Sequence, residues 1–283
     1  MKRHLKDYLF VLPALLLLGL VTIYPVVYTL VLSLQRRLPI FGISRFAGVD
    51  NYLFLLQDER FHQALGNTLY FTVVSVFLEL LLGLAIALLL DRSFPGKGMV
   101  RALILIPWAI PTVVSARMWE WIYNSDFGIL NYLLGTETNW LGNPSWALNA
   151  AIFVDVWKTT PFVAILLMAG LQVIPRDLYR AARIDGAGYW NTVRYVTLPL
   201  LKPVILVALL FRTLDAFRVF DVVYVLTGGG PANATETLSV YAYKVLFQTL
   251  QFGYGSALAM IVFLCVGALS VICIRVLNRE NEP

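Results

Sequence analysis

The chain has 283 residues, of which 59% are hydrophobic and 14% are charged, and its mean hydropathy is +0.74. Soluble domains contain roughly 45–50% apolar and about 25% charged residues, so this composition excludes an ordinary soluble protein and indicates an integral membrane protein. The formal net charge is +5. In a membrane protein the distribution of basic residues among the loops is more informative than this sum, so the charge does not indicate nucleic-acid binding.

Six apolar segments approach the length of about 20 residues that a helix needs to cross a bilayer. In chain order they cover approximately residues 8–34, 68–90, 102–123, 147–171, 203–226 and 256–275. The first follows the sequence MKRHLKD, but it is too long for a secretory signal and lacks an Ala-x-Ala cleavage site. The pattern predicts an all-α membrane protein whose six transmembrane helices form one domain over residues 1–283.

The lysines and arginines predict the orientation of these spans. The termini and the loops near 91–101 and 172–202 carry 13 of them, whereas the loops on the opposite side carry five. Because basic residues accumulate on the cytoplasmic side, we expect both termini and the 172–202 loop in the cytoplasm.

Several charged residues lie within the predicted spans, where each one costs about 2.5 to 3.5 kcal/mol on insertion scales. They are Glu79, Arg117, Glu120, Asp155, Lys158, Arg212, Asp215, Arg218 and Asp221. All except Glu79 alternate in sign at i, i+3 spacing, which lets neighbours on a helix pair and hold the helices together. Glu79 is expected to meet a donor on another helix or in a partner subunit.

Spans four and five interleave these charges with aromatic and hydroxyl side chains. The interleaved residues are Trp157, Thr159, Phe162, Phe217, Phe220 and Tyr224. An aromatic stripe alone would more often be packing, but polar groups that converge in an apolar wall are typical of a small-molecule site. Sugars suit such a wall, because a pyranose carries apolar C–H patches between its hydroxyls.

No catalytic or metal-binding pattern is present. The sequence FPGKGMV contains the Gly-Lys of a P-loop, but Asp91 replaces the leading glycine and Gly98 replaces the Ser or Thr. His4 and His62 lack partners at metal-ligand spacing. We therefore predict a chain that is not an enzyme and has no cofactor of its own, so that energy must come from a partner or an ion gradient.

The loop at 175–199 contains two predicted helices that meet at a glycine. Pro175 suits the start of the helix RDLYRAARI, and the sequence DGAG stops that helix before YWNTVRYV. Leu178, Ala181 and Ala182 share one face of the first helix, edged by arginines. Composition alone is also compatible with an interfacial loop near lipid headgroups.

This loop resembles the EAA loop of ABC importer permeases. The residues that match the family spacing are Ala181, Ala182, Gly186, Val196, Leu198 and Pro199. One position departs from the pattern: Arg180 stands where the family usually has Glu. The resemblance assigns ATPase coupling to Arg180, Ala181, Ala182, Asp185, Gly186, Leu198 and Pro199. Further segments, including DVWKTTPFVAILLMAGLQVIP and FDVVYVLTGGGPANATETL, resemble binding-protein-dependent sugar-uptake permeases of the maltose, trehalose and glycerol-phosphate type.

The resemblance implies a type I ABC importer permease in a bacterial or archaeal inner membrane, importing a disaccharide or oligosaccharide such as trehalose or maltose. It implies three kinds of partner: two copies of a cytoplasmic ATPase that holds ATP and Mg, a second and different permease chain, and an extracytoplasmic sugar-binding protein. The residues and the resemblance together give a candidate substrate pathway. It consists of Asp155, Trp157, Lys158, Thr159, Phe162, Leu214, Phe217, Arg218, Asp221 and Tyr224.

An ion-coupled secondary transporter is the alternative that remains open. In that case Glu79, Asp155, Asp215 and Asp221 would be proton or cation sites. That alternative gives no use to the glycine-containing cytoplasmic loop. The sequence does not identify the sugar or decide which permease of a pair contacts it.

Overall fold

The structure is a computed structural model that describes residues 11–281, with side chains through residue 276. Residues 8–10 of the first predicted span and the basic residues near the N-terminus lie outside the described part. The helices are α1 (Val11–Ser33), α2 (Asp50–Gln57), α3 (Glu59–Asp91), α4 (Lys97–Ala109), α5 (Thr112–Ile122), α6 (Ile129–Leu134), α7 (Pro144–Val173), α8 (Arg176–Ile184), α9 (Tyr189–Phe217), α10 (Asp221–Thr227), α11 (Leu238–Tyr243) and α12 (Phe252–Asn281).

Five of these helices are long and apolar enough to cross a membrane, namely α1, α3, α7, α9 and α12. The pair α4 and α5 gives a sixth candidate if it is one broken span, because the two helices are bent by 96°. Pro111 directly precedes α5 and has no N–H to continue the helical hydrogen bonding, which accounts for the break. The span predicted at 203–226 differs from the structure, since α9 ends at Phe217 and α10 starts at Asp221.

The chain divides into two compact units. The first contains the described parts of residues 1–62 and 241–264, and the second contains residues 63–240 and those after 264. A two-stranded antiparallel hairpin, β1 (Gln35–Leu38) with β2 (Ile43–Phe46), belongs to the first unit. The chain turns between these strands through Gly42, whose φ of 62° lies in the left-handed region that favours glycine.

A half-buried carboxylate, Asp58, organises part of the first unit. The hydroxyls of Tyr241 and Tyr254 both donate to Asp58 Oδ2, the former at 2.5 Å. Burial acts to raise the pKa of Asp58, but these hydrogen bonds and those from the backbone N–H groups of Arg60 and Phe61 outweigh it, so the pKa lies below its usual value. Burial and the hydrogen bond to Asp58 raise the pKa of Tyr241 to about 12.

The second unit is built on close contacts among α3, α7 and α9. A Cβ at Gly83 of α3 would lie 2.6 Å from Val163 Cγ1 of α7, and one at Gly170 of α7 would lie 2.7 Å from Leu201 Cδ1 of α9. Apolar side chains such as Leu167 fill the space around these contacts and are fully buried. The three helices therefore approach closely enough for polar side chains on facing positions to meet.

Candidate functional site

A buried ionic network joins α3, α7 and α9. Arg212 of α9 donates from Nε to Glu79 Oε2 at 2.5 Å and from Nη2 to Glu79 Oε1 at 2.8 Å. The same Nη2 donates to Asp155 Oδ2 at 3.0 Å, and Nη1 donates to Asp215 Oδ2 at 2.6 Å. The side chains of Arg212 and Glu79 are 3% and 0% exposed. The expected donor for Glu79 on another helix is thus Arg212.

The other charges in the predicted spans only partly form the pairs expected from their spacing. Arg117 and Glu120 form the predicted pair, with Nη1 2.6 Å from Oε2. Arg218 pairs with Asp215 at 3.3 Å rather than with Asp221. Within residues 11–281, neither Asp221 nor Lys158 belongs to an ion pair, so the i, i+3 expectation for these two is wrong.

Lys158 has a structural partner at the break between α4 and α5. Its Nζ donates to the carbonyl oxygen of Ile110 at 2.7 Å and lies 3.5 Å from that of Trp108. Carbonyls at a helix break in a membrane protein need such a donor, because lipid supplies none. The sequence could not indicate this contact, since it depends on how α7 packs against the broken segment.

A cavity of about 350 Å³ lies beside the ionic network. Its lining comes from α7, from the broken segment at α4 and α5, and from the interruption between α9 and α10. The lining residues are Trp108, Thr112, Asp155, Lys158, Thr159, Asp215, Ala216, Arg218, Val219, Phe220, Asp221 and Val222. The cavity thus presents charged and hydroxyl groups together with two aromatic rings.

Half of the predicted pathway residues line this cavity, namely Asp155, Lys158, Thr159, Arg218 and Asp221. The other five, Trp157, Phe162, Leu214, Phe217 and Tyr224, do not. Phe217 is 3% exposed and belongs to the buried interior. Trp157, Phe162 and Tyr224 make ring contacts with Trp119, Trp108 and Phe220.

Trp108 and Thr112 are among the lining residues that were absent from the predicted set. Trp108 follows Pro107 and Thr112 follows Pro111, and these two prolines are the available sequence signal that the helix breaks there. Asp215 was predicted as a membrane-buried charge, but the structure also gives it a place on the cavity wall. A helix break can expose backbone and side chains to a cavity. Segments identified by hydropathy are treated as continuous helices, so they do not indicate such residues.

The loop at 175–199 contains the two helices and the intervening glycine expected from its sequence. Helix α8 ends with Asp185 N–H donating to the Ala181 carbonyl at 3.0 Å and Ala187 N–H donating to the Ala182 carbonyl at 2.9 Å. Gly186 between them has a φ of 75°, a conformation that L side chains rarely adopt. Leu198 and Pro199 lie inside α9, which runs without interruption from Tyr189.

This loop presents an apolar surface beside basic groups. Ile184 and Trp190 are 87% and 77% exposed, and Leu178 is 41% exposed. Arg180, the residue that departs from the EAA pattern, donates to Asp177 of its own helix at 2.9 Å. A hollow of about 700 Å³ beside α8 is lined in part by Arg92, Arg176, Arg180 and Arg183.

Comparison with known proteins places this architecture in a family. Residues 79–281 match the family model described as the inner membrane component of binding-protein-dependent transport systems. The chain is 45% identical over 273 residues to the trehalose/maltose transport system permease protein MalF of Thermococcus litoralis, covering 95% of this chain and 92% of the relative. It is 44% identical over 280 residues to the trehalose transport system permease protein SugA of Mycobacterium tuberculosis, covering 98% and 91%.

A solved structure shares the fold. It is the crystal structure of a bacterial alginate ABC transporter in complex with an alginate pentasaccharide-bound periplasmic protein. One of its chains superposes with a TM-score of 0.86 at 22% identity, covering 99% of this chain and 96% of that chain. The predicted all-α type I ABC importer permease fold is confirmed.

The chain therefore belongs to the family of inner membrane components of binding-protein-dependent transport systems. It is a multi-pass inner membrane permease subunit of an ABC importer, and the predicted family resemblance is confirmed. The ion-coupled alternative receives no support from these comparisons.

Proposed function

We propose that this chain is one of two translocation subunits in an ATP-driven importer of a disaccharide or oligosaccharide, with trehalose and maltose as the first candidates. The observation that carries the proposal is the cavity beside Arg212, whose lining combines carboxylates, cations and two hydroxyls with two aromatic rings. Hydroxyl-rich ligands with apolar ring faces suit such a lining. Its volume of about 350 Å³ lies at the lower end of the range of ligand sites.

The same proposal assigns roles to the partners. An extracytoplasmic binding protein would deliver the sugar, a second permease chain would complete the pathway, and two cytoplasmic ATPase copies would bind ATP and Mg²⁺. The proposed orientation has both termini and the 175–199 loop in the cytoplasm. The surplus of basic residues on that side supports it, 13 against five.

In this account α8 is the coupling helix. Ala181 and Ala182 are small enough to let a partner approach closely, while Ile184 offers an apolar contact that is 87% exposed. Gly186 sets the direction between α8 and α9, and Leu198 and Pro199 lie in the helix that receives the motion. Closure of two ATPases on ATP would draw two such loops together and turn the pathway outward, and hydrolysis would reset it.

A pull-down tests the assembly. The chain is tagged at its C-terminus, solubilised gently from native membranes, and its co-purifying proteins are identified by mass spectrometry. We expect an ATP-binding subunit and a second permease. A folded, intact chain that purifies alone would contradict the proposal.

The cavity is tested by uptake kinetics. Asp221→Asn changes a cavity residue that has no ion-pair partner within the described chain, whereas Asp126→Asn makes the same change in an exposed loop outside the cavity. We expect altered uptake of trehalose or maltose for Asp221→Asn, with normal assembly, and unchanged uptake for Asp126→Asn. Equal uptake kinetics in both variants and the parent would remove Asp221 from the pathway.

A further inference from the structure

The hairpin of β1 and β2 directly follows the first candidate membrane span. Helix α1 ends at Ser33, and α3, the next helix that can span a membrane, begins at Glu59. Residues 34–58 therefore connect two spans. Because β1 begins at Gln35, two residues after α1 ends, the hairpin lies close to the bilayer interface, where lipid headgroups are the neighbouring molecules.

Three arginines of this hairpin line the same cavity. Arg36 and Arg45 are direct cross-strand partners in the antiparallel register, so their side chains share one face, and Arg37 is the next residue of β1. All three line a cavity of about 650 Å³, together with a single acidic residue, Asp50. Like charges on directly opposed strand positions destabilise a hairpin, and within the described chain none of the three arginines forms an ion pair. The lining thus carries an excess of two positive charges.

The hairpin is held in place by its surroundings. Asn51 Nδ2 donates to the carbonyl oxygens of Ser33 and Gln35 at 2.7 and 2.9 Å. On the other side Gly253 packs against the Gln35 carbonyl so closely that any Cβ would collide with it. The arginines are therefore presented on a fixed frame, which favours a ligand with defined geometry over diffuse attraction of ions.

The rim of the cavity is apolar on one side. Phe46 and Phe54 line it and are 77% and 60% exposed, and Phe41 at the hairpin turn is 72% exposed. Aromatic rings next to arginines are typical of segments that lie in the membrane interface. A ligand that combines an anionic group with a hydrocarbon part would satisfy both halves of this cavity.

We propose that the cavity binds the phosphate of an anionic phospholipid headgroup, with Arg36 and Arg45 donating to the phosphate, Arg37 adding positive charge to the lining, and the acyl chains leaving over Phe46 and Phe54. Arginine suits this role because its planar guanidinium donates two parallel hydrogen bonds to phosphate oxygens. The amides of Asn51 and Gln251 and the hydroxyl of Tyr254 complete the polar part of the lining. A bound phosphate would also remove the repulsion between Arg36 and Arg45.

An acidic surface of a protein partner is the competing occupant. The position of the hairpin between two spans and its exposed phenylalanines favour lipid, since they place the arginines at headgroup level beside hydrocarbon. The lipid site does not depend on the identity of the imported sugar or on the orientation of the chain.

Lipid retention tests the site in the intact importer. The complex is reconstituted in nanodiscs of phosphatidylcholine mixed with phosphatidylglycerol, extracted in mild detergent, and its bound lipid is measured by native mass spectrometry. Each arginine near an anionic lipid contributes about 1 kcal/mol, or about fivefold in affinity. We expect Arg36→Gln/Arg45→Gln to weaken phosphatidylglycerol retention by about 25-fold, and Arg36→Lys/Arg45→Lys to weaken it less.

Arg60→Gln is a control that removes a positive charge outside the cavity. Arg60 belongs to the same unit but stacks over the ring of Tyr241, at 4.7 Å from the ring centroid, and does not line the cavity. It should leave retention unchanged. Equal retention by the parent and the double Gln variant would overturn the proposal.

Two further measurements separate the alternatives. In the first, inorganic phosphate alone is added to the delipidated complex. If phosphate stabilised the complex against unfolding as much as phosphatidylglycerol does, the cavity would be a free-phosphate site, and the proposal of a lipid ligand would be overturned. Loss of binding-protein affinity in the double Gln variant with unchanged lipid retention would show a protein-docking surface and also overturn it.

Discussion

Arg212 is predicted to stabilise the fold because it is shared by several carboxylates. The change Arg212→Met keeps an apolar side chain in the same space but leaves Glu79 and Asp155 without their common cation. Both side chains are largely buried, at 0% and 13% exposure. Removing one partner of a buried ion pair costs about 3 to 5 kcal/mol, mostly through the uncompensated charge that remains. We expect a loss of free energy of unfolding in this range.

The reciprocal change should have a smaller effect. Glu79→Gln removes one charge but leaves an amide oxygen that can accept from Arg212, which still contacts Asp155 and Asp215. Loss of one charge-assisted hydrogen bond corresponds to about 1.5 to 3 kcal/mol. The double variant Arg212→Met/Glu79→Gln should be more stable than Arg212→Met alone, because the buried charge at position 79 is then removed.

The free energy of unfolding can be measured by titrating the purified chain from mild detergent into sodium dodecyl sulfate and following helicity by circular dichroism. Arg218→Met is the matched control, since it removes an arginine that also contacts Asp215 but whose side chain is 67% exposed. An exposed ion pair contributes about 1 kcal/mol or less. Equal losses for Arg212→Met and Arg218→Met would refute the shared-cation reasoning.

Three further predictions concern other parts of the molecule. The Gly186→Val variant should insert normally but lose sugar-stimulated ATP hydrolysis, because the φ of 75° at this position disfavours a β-branched residue. Gly186→Asn should have a milder effect. Normal stimulation of ATP hydrolysis in the Val variant would contradict the coupling role. Gly83→Ala should destabilise the chain by about 1 to 3 kcal/mol in the same unfolding titration. Adding Val163→Ala to this variant should partly restore stability, because it makes room for the new methyl group. A double variant no more stable than Gly83→Ala would argue against this contact. The lowered pKa of Asp58 means that its stabilisation is present above about pH 4 and is lost as pH falls through the folded-state pKa. The raised pKa of Tyr241 means that its contribution to stability is present below about pH 10 and is lost as pH rises through about 12. Thermal unfolding measured against pH tests the Asp58 prediction. If Asp58→Asn lost stability at acid pH as the parent does, that prediction would be contradicted.

Some of this architecture follows directly from the sequence. Apolar length indicates the spans, and Gly186 with its flanking helix formers indicates the bend between α8 and α9. The isolated charge of Glu79 indicates a distant donor, but it cannot identify Arg212, because that contact depends on how α3, α7 and α9 pack around Gly83 and Gly170. Spacing also overpredicted local pairs, since Lys158 donates to backbone carbonyls at a helix break.

The hairpin was not predicted, although the sequence contains a signal for it. Pro39 and Gly42 mark a turn between two short stretches, but these stretches are too short and too basic to give the alternation expected of a strand. The end of span five was placed too late for a related reason. Apolar residues continue beyond Phe217, and hydropathy alone does not register the interruption of the helix at 218–220.

ATP-driven import can be measured as uptake of labelled trehalose and maltose into cells that express the complete importer, with ATP and the ion gradient controlled separately. We expect uptake that requires this chain, survives an uncoupler when ATP is maintained, and stops when ATP is depleted. Uptake by this chain without an ATPase, abolished by the uncoupler while ATP is maintained, would contradict ATP-driven import.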